Sequence, residues 1–219
     1  MTKQQSMGIC DLCGKTFGKA AMTRHLAKCS QPQTLAAPGK QKTTPAFHLV
    51  VEGRWAKAYW MHVAVPAKAP LSKLDVFLRD IWLECCGHLS AFEIDGVHFN
   101  SPAMGEEEER GMETPLSRVV NVGTKFFYQY DFGSTTELVL KVVGFWNQGT
   151  PKGAVELLAR NEPPQVICER CGTQPATQIC TECGDTWLCE SCAAAHECDE
   201  GMRLPVVNSP RVGVCGYTG

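Results

Sequence analysis

Twelve of the residues most able to do chemistry in this chain fall into two metal-ligand patterns. Near the start stands Cys10-x2-Cys13-x11-His25-x3-Cys29. Near the end stands Cys168-x2-Cys171-x8-Cys180-x2-Cys183-x5-Cys189-x2-Cys192-x3-His196-x1-Cys198. A C-x-x-C pair folds into a tight knuckle that aims two thiolates at one point. Two more donors complete the tetrahedral shell that zinc prefers. In the first pattern His25 and Cys29 are four residues apart and share one helix face. In the second, four pairs suit two ions in a cross-brace, in which alternate pairs share an ion. One site is then Cys168, Cys171, Cys189 and Cys192, and the other Cys180, Cys183, His196 and Cys198. His196 and Cys198 are close together for two ligands of one ion, which leaves Cys215 as an alternative to Cys198. The expected cofactor is zinc, three ions in all. Shells of four protein donors leave no position for an activated water, so hydrolysis at these ions is not expected.

The spacing also sets where the chain works. Thirteen cysteines in a secreted chain would suggest disulfides. Here they fall mostly in C-x-x-C pairs beside histidine, and the opening MTKQQSMGICDLCG has no apolar segment of the secretory kind. The expectation is a cytoplasmic, reducing location. With no apolar run near the roughly 18 residues of a membrane helix, no membrane partner is expected either.

Of 219 residues 44% are hydrophobic, enough for a real core, and the formal net charge is −2. That charge is unevenly placed. Up to residue 44, seven basic residues stand against Asp11 alone. From 162 onward eight acids stand against Arg170, Arg203 and Arg211. Zinc-bound thiolates make the tail more acidic still, so the two ends should not share a partner. The head can take nucleic acid through Lys15, Lys19, Arg24 and Lys28. On a ββα finger the base-reading positions would be Gly18, Ala21 and Arg24, and only Arg24 can bond a base edge. Sequence-specific regulation is therefore disfavoured, and contact with phosphate is the nucleic-acid mode left open. A protein partner suits the acidic tail.

The elements that must position these residues divide the chain into a finger at 8–29, a linker at 30–45 (SQPQTLAAPGKQKTTP), a middle domain at 46–160, a two-zinc domain at 165–200 and a terminal segment at 201–219. A finger of 22 residues has almost no core and needs its metal to fold. The fold expected of the middle domain is α+β with a mixed, largely antiparallel sheet, flanked by a ββα-like finger and the cross-brace. Strands are predicted in AFHLVVEG, YWMHVAV, AFEIDGVHF, KFFYQYDF and TELVLKVVGFW. A helix is predicted from a Ser72 cap, with Leu71 packing on Val76 and apolar spacing through Leu74, Phe77, Leu78, Ile81, Trp82 and Cys85, ended by Gly87. Short helices are expected at Thr114-Pro115 and over 151–160. GEEEERG at 105–111 is expected to be a solvated loop.

Cys85 and Cys86 are expected to be buried thiols, and His48, His62 and His98 half-exposed strand residues. DFGS is predicted to turn, with Asp131 bonding amides two residues on and Gly133 at positive φ. His88 and Asp131 are the candidate ligand site on which an enzyme or small-ligand reading would rest. No nucleophile–base spacing supports an enzyme. The terminal segment, rich in valine beside Pro205 and Pro210, is expected to dock, which would bring Arg211 and Cys215 to the middle domain.

Two stretches carry resemblances. WLCESCAAAHEC resembles the B-box and related cross-braced fingers, which implies protein binding. In the middle domain His88, Leu89, Phe92 and Ile94, with Tyr130, Asp131, Phe132 and Gly133, resemble the Ri-plasmid ORF-three-like family. That family includes passenger proteins of insertion elements, and NSPRVGVCGYTG resembles the end of its zinc-bearing branch. The resemblance spans roughly 46–150 and implies an association with mobile elements, not a mechanism. Many members continue with Asp-Ser-Trp and then His. This chain has Ser134, Thr135 and Thr136, so a site that needs those residues is missing here.

Overall fold

The computed structural model describes residues 6–29, 45–101, 111–147 and 150–219. Most of the predicted linker at 30–45, and the acidic loop apart from Gly111, lie outside the described residues. The chain forms mostly antiparallel sheet with few helices. The elements are β1 (Met7–Cys10), β2 (Thr16–Gly18), α1 (Lys19–Leu26), β3 (Ala46–Gly53), β4 (Trp60–Pro66), α2 (Leu71–Leu78), β5 (Ser90–Ile94), β6 (Val97–Asn100), β7 (Lys125–Tyr130), β8 (Thr136–Trp146), β9 (Glu156–Asn161), β10 (Gln178–Cys180), β11 (Thr186–Leu188), α3 (Glu190–Ala194) and β12 (Arg203–Pro205).

Among the described residues nine strands make one sheet in the order β2-β1-β9-β4-β3-β8-β7-β5-β6, and three make a second in the order β11-β10-β12. The period of two in the strands explains how both faces of the large sheet are covered. Phe47, Leu49 and Val51 of β3, with Met61, Val63 and Val65 of β4, enter the main core beneath α2. Ala46 of β3, with Trp60 and Ala64 of β4, faces the other way and meets Met22 and Leu26 of α1. The finger helix is therefore the cover of the second face. β1 pairs with β9, Ile9 opposite Arg160. Gly8 lies against the Trp60 ring and the Arg160 carbonyl, an approach that a Cβ would block.

Several local expectations are corrected. Residues 151–160 do not form a helix. AVELLAR holds good helix formers, but β9 finds β1 and β4 on its two edges, and tertiary pairing overrides propensity. α2 starts at Leu71 with no side-chain cap. The Ser72 amide donates to the Met112 carbonyl at 2.8 Å. Val76 is exposed, so the Leu71–Val76 staple is absent. Asp75 is buried and accepts from Ser90 Oγ at 2.6 Å and Tyr128 Oη at 2.7 Å. After Leu78 the helix widens into a π turn, Arg79–Leu83. The Thr114-Pro115 helix is a single 3-10 turn, Leu116–Arg118.

The terminal segment returns from β12 across the large sheet. Asn208 Nδ2 donates to the Asn161 carbonyl at 2.9 Å, and Ser209 Oγ to the Trp82 carbonyl at 2.6 Å. Arg211 is wholly buried. Its guanidinium donates to Asp131 Oδ2 at 2.7 Å, Thr136 Oγ1 at 3.0 Å and the Ser134 carbonyl at 3.2 Å, and lies over the Tyr130 ring. Burial alone would lower the arginine pKa and raise that of the aspartate. Their pairing reverses both, helped at Asp131 by the amides of Ser134 and Gly133. The positive φ of this turn belongs to Asp131, at 64°, and not to Gly133.

Removing one member of such a pair leaves the other charge buried and alone. Arg211→Met is expected to cost about 3–5 kcal/mol, and Asp131→Asn a similar amount. The double variant should cost clearly less than the two together. Urea unfolding measures all three, and strictly additive small losses would contradict the pairing.

Candidate metal centres

At the head, the Cys10 amide donates to the Lys15 carbonyl at 2.9 Å and the Gly14 amide to the Cys10 carbonyl at 2.7 Å, which closes the knuckle. α1 then presents His25, with Cys29 just beyond it. Cys10 and Cys29 sulfurs lie 3.9 Å apart, and Cys13 Sγ lies 3.2 Å from His25 Nε2. A tetrahedral shell with Zn–S of about 2.3 Å separates its sulfurs by roughly 3.8 Å. The donors thus stand at the separation a zinc ion would impose.

In the tail the structure brings together Cys168, Cys171, Cys189 and Cys192, and separately Cys180, Cys183, His196 and Cys198. Cys171 and Cys189 sulfurs are 3.9 Å apart, and Cys183 Sγ is 3.4 Å from His196 Nε2. β10 and β11 carry the candidate donors Cys180 and, one residue past β11, Cys189, and α3 carries Cys192. Cys198 takes the fourth place of the second tail group, and Cys215 lies elsewhere. In all these groups the donor atoms are within 4.8 Å of one another. All thirteen cysteines are free thiols.

The proton affinities within a group diverge. Hydrogen bonds from Thr173 and the Gln174 amide bring the Cys171 thiol down to about 6, while the hydrogen bond that Cys192 makes with Cys189 is the chief cause that pushes Cys192 up to about 12. Burial raises Cys180, but the amide of Cys183 and its neighbours outweigh it and bring the thiol to about 7. Burial, then the proximity of Cys180 and Cys183, pushes Cys198 up to about 12. At the head, burial followed by Cys13 pushes Cys29 up to about 12. In each group at least one thiol is eased toward the thiolate while another resists beside it. A divalent cation among the sulfurs removes that conflict.

A fourth group joins residues that no single sequence pattern brings together. Cys85, Cys86, His88 and Cys215 also hold four donor atoms within 4.8 Å. Cys85 is half-buried and Cys86 exposed, contrary to the expectation of buried thiols, because the π turn ends at Leu83 and releases both from the helix face. His88 Nε2 lies 3.5 Å from Asp131 Oδ2. That carboxylate is engaged by Arg211, so the predicted His88–Asp131 ligand pair is not a free one.

Of the candidate phosphate contacts, Lys15, Arg24 and Lys28 are exposed, whereas Lys19 is half-buried and pairs with Glu52 of the sheet. Gly18 is buried, which removes one of the three base-reading positions from any groove. No helix among the described residues is long and apolar enough to cross a membrane.

No family model matches the chain, and no curated protein matches it. Among solved structures it is similar to a protein of unknown function from Methanosarcina mazei Go1. The two are 18% identical, with a TM-score of 0.41, over 63% of this chain and 73% of that one.

Where the finger meets the sheet, His48 and His62 are buried, not half-exposed as the strand pattern suggests. His48 Nε2 and His62 Nδ1 are 2.9 Å apart, and only His98 is exposed. Burial lowers His48 to about 4 and His62 to about 3. Both are neutral in the folded chain and take protons on unfolding below their ordinary 6.5. Their contribution is therefore intact above pH 6.5 and lost as the pH falls toward 4, by roughly 3 kcal/mol for His48 alone. His48→Gln should flatten the decline of stability between those values relative to wild type. The candidate metal donors are common to both proteins, so parallel curves would contradict this origin.

Proposed function

We propose that the protein is a zinc-dependent binding or adaptor protein, cytoplasmic and not catalytic. Its acidic tail would contact a protein partner and its basic head would contact nucleic acid without reading sequence. Three zinc ions would serve this role, one in the head and two in the tail. The observation that carries the reading is the closed four-donor group at each of these places. Zinc held by four protein side chains lends its energy to folding and keeps no position for substrate. What such a module offers a partner is a fixed surface. Lys15, Arg24 and Lys28, exposed around the finger, support phosphate contact at the head, while Gly18 and Ala21 give no base-specific bond. The association with mobile genetic elements rests on the resemblance alone, at His88, Leu89, Phe92 and Ile94, at Tyr130, Asp131, Phe132 and Gly133, and in NSPRVGVCGYTG.

The rival reading is an enzyme or small-ligand protein working near His88 and Asp131. A general base must be free to take a proton. Asp131 is held by Arg211 and by two backbone amides, which disfavours that role. A cleft of about 340 Å³ is lined instead by Ser6, Met7, Ala58 and Glu162 to Gln165, with no nucleophile–base pair.

The test is capture from a native lysate on the zinc-loaded full chain, with and without nuclease, beside Cys168→Ser and a chelated sample. The reading expects a protein retained after nuclease treatment and lost from both the variant and the chelated chain. Lys15→Gln/Arg24→Gln/Lys28→Gln should lose only the nuclease-sensitive fraction. Equal capture by loaded and chelated protein would overturn it.

A further inference from the structure

The group formed by Cys85, Cys86, His88 and Cys215 belongs neither to the finger nor to the cross-brace. Three of its donors follow one another in the turn after α2, and the fourth comes from the terminal segment, 127 residues beyond His88. We propose that these four side chains form a fourth zinc site, which fastens the terminal segment to the middle domain.

The distances carry the case. Cys86 Sγ lies 3.4 Å from Cys85 Sγ, 3.8 Å from Cys215 Sγ and 2.9 Å from His88 Nε2, and Cys215 Sγ lies 3.2 Å from His88 Nε2. Sulfurs of a tetrahedral zinc shell are roughly 3.8 Å apart, and a sulfur and an imidazole nitrogen somewhat less. Three thiolates and an imidazole are a soft set, suited to zinc and unsuited to magnesium or calcium.

The surroundings hold the donors in place. Gly87, at φ 76°, reverses the chain between Cys86 and His88, and its amide donates to Glu84 Oε1 at 2.6 Å. That carboxylate also takes the Tyr130 hydroxyl at 2.9 Å, and the Tyr130 hydroxyl accepts the His88 amide at 3.3 Å. On the other side Arg211 anchors the turn that delivers Cys215. The Val214 amide donates to the Arg211 carbonyl at 3.1 Å, and Cys215 itself adopts a left-handed φ of 51°. Tyr217, buried, fixes the chain beyond it. The same guanidinium reaches Cys85 Sγ at 3.4 Å. A shell of three thiolates and one neutral imidazole around a divalent cation is formally −1, and the guanidinium that it shares with Asp131 offsets part of the combined negative charge. Asp131 is not a fifth donor, because its Oδ2 is taken by Arg211.

This site differs from the other three in exposure. Each of those has at least one buried cysteine, whereas here Cys86 and Cys215 are exposed and Cys85 and His88 half-buried. None of its four residues is buried, so chelators reach this group more readily than the other three. Its metal should leave first.

The experiment is a zinc count on the purified, reduced full-length chain, with the kinetics of zinc release to a chromogenic chelator. Wild type is compared with Cys215→Ser and Cys86→Ser. Each variant is expected to hold one zinc fewer than wild type and to lack the fastest release phase. Cys215 is an exposed residue near the end of the described chain, so its variant should keep the wild-type circular dichroism. The inference rests on the difference between proteins, so it stands apart from the head and tail counts. Equal zinc in wild type and a folded Cys215→Ser would overturn it, as would an unchanged fast phase.

Discussion

A guanidinium cannot lose its charge on burial, so a buried arginine has to be met by an anion and by acceptors for its remaining hydrogens. Arg211 meets Asp131, Thr136 and the Ser134 carbonyl, and its Nε–H is left without a partner among the described residues. That requirement draws the terminal segment over the sheet at the Tyr130–Asp131 turn. Once there, the segment covers Trp82 and places Cys215 among Cys85, Cys86 and His88. The left-handed Asp131 and the neighbouring turn exist to present one carboxylate to one cation.

A second constraint acts at the other edge. A small finger has too little apolar surface to fold by burial alone. Here it also adds a strand to β9 and lays Met22 and Leu26 against Trp60 and Ala64. The finger gains a core from the sheet, and the sheet gains cover for a face that would otherwise expose tryptophan and histidine. A finger used in this way has much of its helix committed to protein contacts. Pairing of Lys19 with Glu52 follows from the same docking.

The head and tail donors were legible because C-x-x-C pairs are local and a cross-brace follows from their order. The remaining group was not, because Cys215 is far from Cys85, Cys86 and His88 in sequence and no local pattern joins them. Most strands were legible from their alternation. β9 was not, because the helix propensity of Ala, Glu and Leu says nothing of two waiting strand edges. His48 and His62 looked half-exposed because a strand with apolar alternate positions normally has one wet face. Here α1 dries the second face, and that contact joins residues separated by a segment outside the described residues. The terminal segment announced its apolar character, but not the partner of its arginine.

The finger and the terminal segment with Cys215 are built onto the large sheet and are not beads beside it. Hydrogen exchange on the full chain, zinc-loaded and chelated, tests this most directly. If the claim holds, chelation removes protection from β9 and from the segment between Val206 and Tyr217 along with the metal groups, because β1 and Cys215 let go together. Exchange that quickens only at the cysteine groups, with β9 and the terminal segment unchanged, would contradict it.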